Sequence, residues 1–178
     1  MNTKRSSFPK WLLLTIATLS YTVLSLITAD ILIAQNSFRP AIALLAVFAA
    51  IEGPLFGFIV GFIGNVGVDW FEGSFWWHWS VGNGIIGLII GLLYLVPGYH
   101  PRKGEITFAH YVMFMILSAV GNYVGLILAS LVDVWLNQVD FISAVFQWAF
   151  TPATVNVLMI GTLGVGGLYL YARMKKHK

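Results

Sequence analysis

The stretch "FRPAIALLAVFAAIEGPLFGFIVGFIGNVGVDWF", residues 38–71, decides the fold class of this chain. It holds two apolar runs, about 40–51 and 54–70, which are separated only by the residues Glu-Gly-Pro. The second run is long enough to cross the hydrocarbon core of a bilayer, whereas the first is too short to cross it upright. Glycine commonly ends a helix and proline commonly begins one. The stretch therefore predicts a short helix followed at once by a membrane-spanning helix.

The composition of the whole chain also indicates a membrane protein. Of the 178 residues 58% are hydrophobic and 10% are charged, and the mean hydropathy is +0.83. A soluble domain typically carries about 25% charged residues, so this chain has too few polar groups to cover a globular surface in water. The sequence has no cysteine, which excludes disulfides, thiolate metal sites and cysteine nucleophiles.

Hydropathy predicts an all-α integral membrane protein whose single membrane domain, residues 1–178, has six transmembrane helices. The basic N-terminal segment leads into an apolar stretch that is too long for a signal-peptide core, so the first helix is expected to be retained. Pro152 is expected to kink the last helix or to separate a re-entrant segment from it. The predicted spans are about 11–33, 40–51, 54–70, 80–96, 107–132 and 142–172.

The distribution of basic residues predicts the orientation of these helices. With six spans, nine of the ten lysines and arginines fall on the side of the two termini, and Arg39 alone falls on the other side. Cytoplasmic loops carry an excess of lysine and arginine, so both termini are expected to be cytoplasmic. The net charge of +3 is therefore interpreted as a signal of membrane orientation, and no nucleic acid partner is predicted.

Residues 74–87, "SFWWHWSVGNGIIG", contain the spacing G-x-G-x-x-G at Gly82, Gly84 and Gly87. A dinucleotide site needs a strand before this motif and an acidic residue about 20 positions after it. Here an aromatic segment precedes the motif, an apolar run follows it, and the expected acidic position is basic. The glycines are instead expected to let transmembrane helices approach closely.

Polar side chains near the outer ends of the predicted helices suggest a cavity that opens to the outside. Polar groups are costly in hydrocarbon, so they face a bundle interior or a water-filled cavity. Interhelical hydrogen bonds, worth about 0.6–2 kcal/mol each, are the favoured interpretation for any single residue. Taken together, however, the polar residues at this depth favour an outward-facing pocket, and Asp133 and Asn156 belong to the same set. Its candidate binding residues are Asn36, Arg39, Asn65, Asp69, Asn83, Asn122, Tyr123 and Gln147.

Three tryptophans, Trp76, Trp77 and Trp79, lie next to a histidine on the same predicted outer side. An interfacial aromatic belt explains one or two of them, but three within four residues of a short loop cannot all face lipid. Trp76 and Trp79 are therefore candidates for a surface on which a ligand stacks, and such a surface suits a large flat face with polar edges. Trp79 is preferred because it lies one helical turn before Asn83.

The sequence has no catalytic or metal-binding pattern. Its four histidines lack partners at i+3 or i+4, so no metal site is supported. No nucleophile–base pair and no P-loop is present. The chain is therefore predicted not to be an enzyme and to use no cofactor, and any ATPase that drives it must be another chain.

Four small residues, Thr18, Thr22, Ser25 and Ala29, advance by four, three and four positions and so share one face of the first helix. Small residues let helix backbones approach closely. The spacing alone is compatible with packing inside the bundle and with docking of a partner helix.

The block 38–71, followed by "FWWHWSVGNGIIGLIIGLL" at 75–93, resembles the substrate-binding (S) components of energy-coupling factor (ECF) vitamin transporters. The shared features are a short apolar second helix, a third helix with the pattern G-P-x-x-G-F-x-x-G-x-x-G, an aspartate near its outer end and a glycine-rich fourth helix. In this chain these correspond to 41–51, Gly53 to Gly64, Asp69, and Gly82 to Gly91. The resemblance extends over about residues 11–172.

The resemblance implies a high-affinity, outward-facing vitamin site in a protein of the bacterial plasma membrane. It implies as partners a transmembrane coupling subunit of the EcfT type and two cytoplasmic ATPases. It also implies that the face formed by Thr18, Thr22, Ser25 and Ala29 docks the coupling subunit, with hydroxyl residues in place of the alanines usual in the family.

The same resemblance suggests the ligand. Residues 56–71 and 75–88 are most similar to a subgroup associated with cobalamin and in some cases with riboflavin, so cobalamin is the expected ligand and riboflavin the alternative. A membrane scaffold without a ligand, or a lipid-modifying enzyme, is the alternative class of protein.

Overall fold

The computed structural model describes residues 9–29, 32–33, 36–37 and 40–176. Five helices within these residues are long and apolar enough to cross a membrane, and a sixth is shorter. The prediction of an all-α membrane protein with six helices is confirmed. In chain order the helices are α1 (Lys10–Ile27), α2 (Ala41–Glu52), α3 (Pro54–Phe71), α4 (Trp77–Gly91), α5 (Phe108–Leu136) and α6 (Ser143–Lys176).

The first helix is shorter than predicted. The expected span 11–33 ends in the structure at Ile27, and Leu32–Ile33 (β1) pairs antiparallel with Asn36–Ser37 (β2). Thr28 has already left the helical conformation, and its hydroxyl donates to the carbonyl oxygen of Leu24 at 2.7 Å. The prediction was wrong here because a short apolar run does not by itself distinguish a helix from a strand.

Helices α2 and α3, which both lie within residues 38–71, are joined by a single residue, as the sequence predicts. Gly53 has a φ of +101°, and its N–H donates to the carbonyl oxygen of Ala49 at 2.8 Å. Pro54 is the first residue of α3. Eight of the twelve residues of α2 are buried, so this short helix lies inside the bundle and does not need the length of a transmembrane span.

Helices α3 and α4 are antiparallel and touch along a line of glycines. A Cβ atom on Gly57 would overlap the carbonyl group of Gly87, and a Cβ atom on Gly61 would overlap the carbonyl oxygen of Asn83. At Gly91 an added Cβ would meet the backbone of α3 at its first turn. The predicted role of the glycines in close helix packing is confirmed, and we call this contact the glycine seam.

Helix α4 begins earlier than predicted, and this changes the setting of the aromatic cluster. The expected span 80–96 corresponds to Trp77–Gly91 followed by a 3-10 turn, Leu92–Leu95. The backbone carbonyl of Trp76 accepts from Trp79 N–H at 2.9 Å, so the tryptophans form the first helical turn and not an outer loop. α5 likewise continues to residue 136, four residues beyond its predicted end.

Helix α6 is continuous, and the predicted separation at Pro152 is wrong. The segment Ser143–Phe150 has π-helical hydrogen bonding, and Thr151 N–H donates to the carbonyl oxygen of Phe146, five residues earlier. Proline lacks an N–H and clashes with the carbonyl four residues before it in an α-helix. The wider π spacing accommodates the proline without breaking the helix. A second π segment, Ile160–Gly164, follows.

One end of the bundle carries the basic residues, and we call it the basic end. A 3-10 turn, Pro101–Lys103, lies here, and Arg102 forms an ion pair with Glu52 at the end of α2. Gly104 lies against the carbonyl of Ala172 on α6, so the loop connects the ends of two helices. Burial raises the pKa of the Tyr99 hydroxyl above its usual range, and the hydroxyl is therefore neutral at physiological pH.

Candidate functional site

A cavity of about 560 Å³ opens at the opposite end of the bundle, between α3, α4, α5 and α6. Three carboxylates and four asparagine amides line it together with three tryptophan rings. We call this end the acidic end and the space the cavity. Its lining residues are Asn65, Asp69, Glu72, Trp76, Trp79, Asn83, Leu126, Asp133, Asn137, Val139, Trp148, Pro152 and Asn156.

Asp69 holds the connection between α3 and α4 in place. Its Oδ2 accepts from the backbone N–H of Trp76 at 3.0 Å and lies 3.3 Å from the Ser80 hydroxyl. The backbone N–H of Ser74 donates to the Asp69 carbonyl oxygen at 2.9 Å. The carboxylate is 5% exposed. A carboxylate that accepts backbone N–H groups at the start of a helix also interacts favourably with the helix dipole.

Asn65 and Asn83 connect α3, α4 and α1 through their amides. The Asn65 amide donates to the Ser80 hydroxyl at 3.1 Å, and the Asn83 amide donates to Asn65 Oδ1 at 3.3 Å. The Tyr21 hydroxyl of α1 donates to Asn83 Oδ1 at 3.0 Å. Because both asparagines also line the cavity, this network fixes two amide groups in its wall.

Asp133 of α5 is the centre of a second network. It is 3% exposed and accepts from Trp79 Nε1–H at 2.7 Å and from the Asn137 amide at 2.7 Å. His78 Nε2 lies 2.9 Å from Oδ1, the oxygen that also accepts from Asn137, whereas Trp79 donates to Oδ2. Three donors on one buried carboxylate hold the outer ends of α4 and α5 together.

The aromatic residues of the first turn of α4 have different surroundings. Trp76 and Trp79 line the cavity, as does Trp148 of α6. Trp77 points away from the cavity and is 46% exposed, which is the position expected of a membrane-belt residue. Trp76 and Trp79 therefore line the cavity and Trp77 does not, although the three residues lie within four positions of the sequence.

Three of the other predicted site residues, Asn122, Tyr123 and Gln147, lie apart from the cavity wall. Asn122 is fully buried and holds the amide of the cavity residue Asn156 through a hydrogen bond of 2.9 Å. The Tyr123 hydroxyl bonds to Thr154 at 2.9 Å and does not line the cavity. Gln147 is exposed on α6 and lies outside the lining. The backbone of Asn36 belongs to β2, its side chain is outside what the structure describes, and Arg39 lies outside the described residues.

The predicted docking stripe on α1 faces the inside of the bundle. Thr22 is 6% exposed and donates from its hydroxyl to the carbonyl oxygen of Gly64 at 2.8 Å, and Ser25 is 1% exposed. Thr18 and Ala29 are half-buried. Thr22 contacts α3 through this hydrogen bond and Ser25 is buried, so both small side chains serve packing within this chain, and docking of a partner by this stripe stays a prediction.

Several residues of the site were not selected from the sequence. Asp133 and Asn156 carried the same signal as the selected residues, a polar side chain at outer-side depth in a helix. Tyr21, His78 and Trp148 have no such signal, because nothing local in the sequence shows that they approach α3, α4 or α5. The complete lining therefore depends on tertiary contacts between distant segments.

The chemical character of the cavity follows from its lining. Flat indole rings provide apolar faces, asparagine amides both donate and accept, and the carboxylates of Asp69, Glu72 and Asp133 accept. Among the described residues no lysine or arginine lines the cavity, and no group of three acidic, histidine or cysteine side chains is placed to hold a metal ion. The cavity therefore suits an uncharged or cationic organic molecule that has donors at its edge.

Comparisons with known proteins identify the family. The family model of the ECF-type riboflavin transporter, S component, matches residues 10–176. A UPF0397 protein of Vibrio atlanticus is 34% identical over 146 residues, which are 82% of this chain and 79% of that protein. A UPF0397 protein of Vibrio vulnificus is 35% identical over 144 residues, which are 80% and 79% of the two chains. No solved structure matches the chain.

The family model matches nearly the whole chain. This match agrees with the resemblance that residues 38–71 and 75–93 show to S components. Members of this family are membrane-embedded transporter components and not enzymes. The chain belongs to the family of ECF-type riboflavin transporter S components, the substrate-binding subunits of vitamin transporters.

Proposed function

We propose that the cavity captures a compact, flat and uncharged vitamin from the outer side of the membrane, and that this vitamin is riboflavin. The observation that carries the proposal is the combination of indole rings with amide and carboxylate groups around about 560 Å³. Small-molecule sites have volumes of about 300–1,000 Å³ and combine apolar walls with a few placed polar groups. The family that matches the chain, that of a riboflavin transporter component, supports the same choice.

The functional groups of riboflavin complement those of the cavity. An isoalloxazine ring has a flat face for stacking on Trp79 or Trp148, and an edge with an imide N–H and two carbonyl groups. The imide N–H can donate to a carboxylate, and the carbonyls can accept from asparagine amides such as Asn137 and Asn156. The ribityl hydroxyls can both donate and accept.

The charge of the lining predicts discrimination against phosphorylated flavins. The three lining carboxylates would repel a phosphate group, and no lysine or arginine among the described lining residues would compensate it. Desolvating a phosphate next to carboxylates is unfavourable. We therefore expect free riboflavin to bind much more tightly than its 5′-phosphate.

Cobalamin, the ligand that the resemblance suggests first, is a less suitable occupant. A corrin with its nucleotide tail is several times larger than riboflavin, and the family model that matches this chain is that of a riboflavin transporter component. Cobalamin therefore serves as the competing ligand in the binding test.

The partners are part of the same proposal. The family description implies a transmembrane coupling subunit of the EcfT type and two cytoplasmic ATPases. This chain would supply capture of the vitamin, and the partner chains would supply the energy for its release to the inside. Thr22 and Ser25 are buried in the chain, so docking of the coupling subunit on this face of α1 would depend on the half-buried Thr18 and Ala29.

The test is a binding assay with the purified protein in detergent or lipid nanodiscs. Riboflavin fluorescence is quenched when the ring stacks on tryptophan, so titration with the protein measures affinity directly. We expect submicromolar binding of riboflavin, at least about 100-fold weaker binding of its 5′-phosphate, and no binding of cobalamin. Absence of riboflavin binding, or tighter binding of cobalamin, would overturn the choice of ligand.

A further inference from the structure

We infer that Asn156 is a specificity-determining residue of the cavity, and that its side-chain oxygen accepts a hydrogen bond from the imide N–H of the flavin ring. Asn122 of α5, which bonds to it from outside the cavity, is the positioning residue that fixes the orientation of the Asn156 amide. The inference rests on the proposed function, since it concerns the same cavity and the same ligand.

Three of the four asparagines that line the cavity lie at its inner end, one on each of α3, α4 and α6. They are Asn65, Asn83 and Asn156. The fourth, Asn137, follows the last residue of α5 and is exposed at the rim. Water competes for hydrogen bonds at an exposed rim, so the amides at the inner end have the greater influence on which ligand binds.

The amides of Asn65 and Asn83 are used within the wall itself. Asn65 Oδ1 accepts from the Asn83 amide at 3.3 Å, and Asn83 Oδ1 accepts from the Tyr21 hydroxyl at 3.0 Å. The Asn83 amide nitrogen also donates to the carbonyl oxygen of Trp79 at 2.9 Å. These two asparagines therefore connect α1, α3 and α4, and each of their oxygens already has a donor.

The amide of Asn156 differs, because its oxygen has no donor. Its nitrogen donates to Asn122 Oδ1 at 2.9 Å, but no described residue donates to its own Oδ1. Asn156 is half-buried and this oxygen is not enclosed by protein, so it is open to the cavity that the residue lines. A ligand that displaces water from the cavity must bring an N–H or O–H to this oxygen or leave it unpaired at a cost.

The orientation of the Asn156 amide is determined by a backbone carbonyl of α5. Asn122 is fully buried, and its amide nitrogen donates to the carbonyl oxygen of Ser118 at 2.9 Å. If the Asn122 amide were reversed, two oxygens would face each other at this position, so Asn122 presents Oδ1 to Asn156. Asn156 must then present its nitrogen to Asn122, which leaves its oxygen for the ligand.

The carboxylates of the cavity are less suitable acceptors for the imide N–H. Three donors already contact Asp133. Asp69 accepts from a backbone N–H and a hydroxyl, and an amide nitrogen lies 3.5 Å from it. Glu72 is exposed at the rim. Asn156 Oδ1 is therefore the acceptor at the inner end to which no described residue donates.

The imide edge of a flavin complements the Asn156 amide. An imide N–H lies between two carbonyl groups, and an amide has an oxygen next to a nitrogen that carries two hydrogens. The imide N–H can donate to Asn156 Oδ1 while a neighbouring carbonyl accepts from the hydrogen that Asn122 does not use. Trp148 and Pro152 line the cavity on the same helix, so α6 provides a stacking surface and the acceptor on one side of the ligand.

The principal experiment compares riboflavin with 3-methylriboflavin, in which a methyl group replaces the imide hydrogen, by fluorescence titration. The proteins are the wild type, Asn156→Leu and the control Thr154→Val, which changes an exposed residue of α6 outside the cavity lining. We expect the wild type and the control to prefer riboflavin by at least about 10-fold, because the methylated ligand leaves Asn156 Oδ1 unpaired. In Asn156→Leu riboflavin should bind about 10-fold more weakly, and the preference should disappear.

A second variant tests the positioning role of Asn122. Asn122→Leu removes the acceptor that orients the Asn156 amide and does not change the cavity lining. We expect the preference for riboflavin to fall to about threefold, because the released amide can then also turn its nitrogen toward the ligand. A purely structural role would weaken binding of both flavins equally, so an unchanged preference in this variant would overturn the positioning role.

The double variant with Asn122→Leu and Asn156→Leu keeps the test valid if a single variant does not fold. It removes the donor and the acceptor of their hydrogen bond together, which is nearly neutral for stability. Thermal unfolding in detergent checks that each protein is folded. A preference for riboflavin that persists in Asn156→Leu or in the double variant, or a wild type without any preference, overturns the inference and leaves riboflavin as the ligand. A wild type that binds neither flavin overturns the proposed function and the inference with it.

Discussion

The two halves of the contact between α3 and α4 are built in opposite ways. Toward the basic end the helices meet at Gly57, Gly61 and Gly87, where no side chain separates their backbones. Toward the acidic end the same helices carry Asn65, Asp69, Trp76 and Trp79 and enclose the cavity together with α5 and α6. At Gly57, Gly61 and Gly87 the contact is between backbones, whereas the wall of the cavity combines hydrogen-bonded polar groups with tryptophan rings. The comparison shows how one helix pair can be both a rigid support and a binding site.

The strongest test of this comparison is to place a side chain in the glycine seam. Gly57→Val should destabilise the protein by about 3 kcal/mol or more, because its Cβ would overlap the Gly87 carbonyl and the backbones would have to separate. Thermal unfolding in detergent measures the effect. Gly166→Val is the matched control, since a Cβ at that glycine has no neighbour within 4 Å, and its stability should change by less than about 0.5 kcal/mol. Similar losses in both variants would contradict the importance of the seam.

At the other end of the same helix pair, removal of the central carboxylate should affect ligand binding. Asp133→Ala leaves the donors of Trp79, Asn137 and His78 without their acceptor and should weaken riboflavin binding about 30-fold, or about 2 kcal/mol. Fluorescence titration measures the change. Asp140→Ala removes a carboxylate that accepts only from a backbone N–H outside the cavity lining, and it should leave the affinity within about twofold.

A smaller effect on riboflavin binding is expected from substitution of Trp79, which lines the cavity, and none from substitution of Trp77, which does not. Trp79→Phe keeps an aromatic ring but loses the N–H that donates to Asp133, and it should weaken riboflavin binding about fivefold, or about 1 kcal/mol. Trp77→Phe changes a residue that is exposed and outside the cavity, and it should bind riboflavin normally. Equal losses in the two variants would show that both rings contact the ligand.

The smallest effect is expected from the hydroxyl that connects α1 to the wall. Tyr21→Phe removes the donor to Asn83 Oδ1, but the Asn83 amide keeps its bonds to Asn65 and to the Trp79 carbonyl oxygen. We expect a loss of unfolding free energy of about 1 kcal/mol and a change of riboflavin affinity of no more than about twofold. A larger loss of affinity would mean that α1 takes part in shaping the cavity.

Most of the architecture could be predicted from the sequence because hydropathy and a few breaking residues determine it. The Glu-Gly-Pro break predicts the α2–α3 junction, and the glycine spacing predicts close packing of α4. The errors occur at helix ends, at residues 28–29, 77–79 and 133–136, and at Pro152. Apolar composition does not fix where a helix stops, and hydrogen bonds to side chains such as that of Asp69 decide where the next one begins.

The site could be predicted only in part. Asn65, Asp69, Trp76, Trp79 and Asn83 lie in the cavity wall, because polar or aromatic residues at the outer end of a membrane helix have few alternatives. The contact between His78 and Asp133 joins residues 55 positions apart and has no local signal. The sequence also does not show that Thr22 faces α3, because a stripe of small residues can pack equally well against a helix of the same chain or of a partner.

The single glycine between α2 and α3 has a mechanical consequence. With Gly53 N–H bonded to Ala49 and Gly57 N–H bonded to the carbonyl oxygen of Gly53, almost no free backbone remains at the corner. Since α3 also packs on α4 along the glycine seam, we expect α2, α3 and α4 to tilt together. A tilt applied at the basic end would then displace the α3–α4 wall of the cavity as a unit instead of bending it.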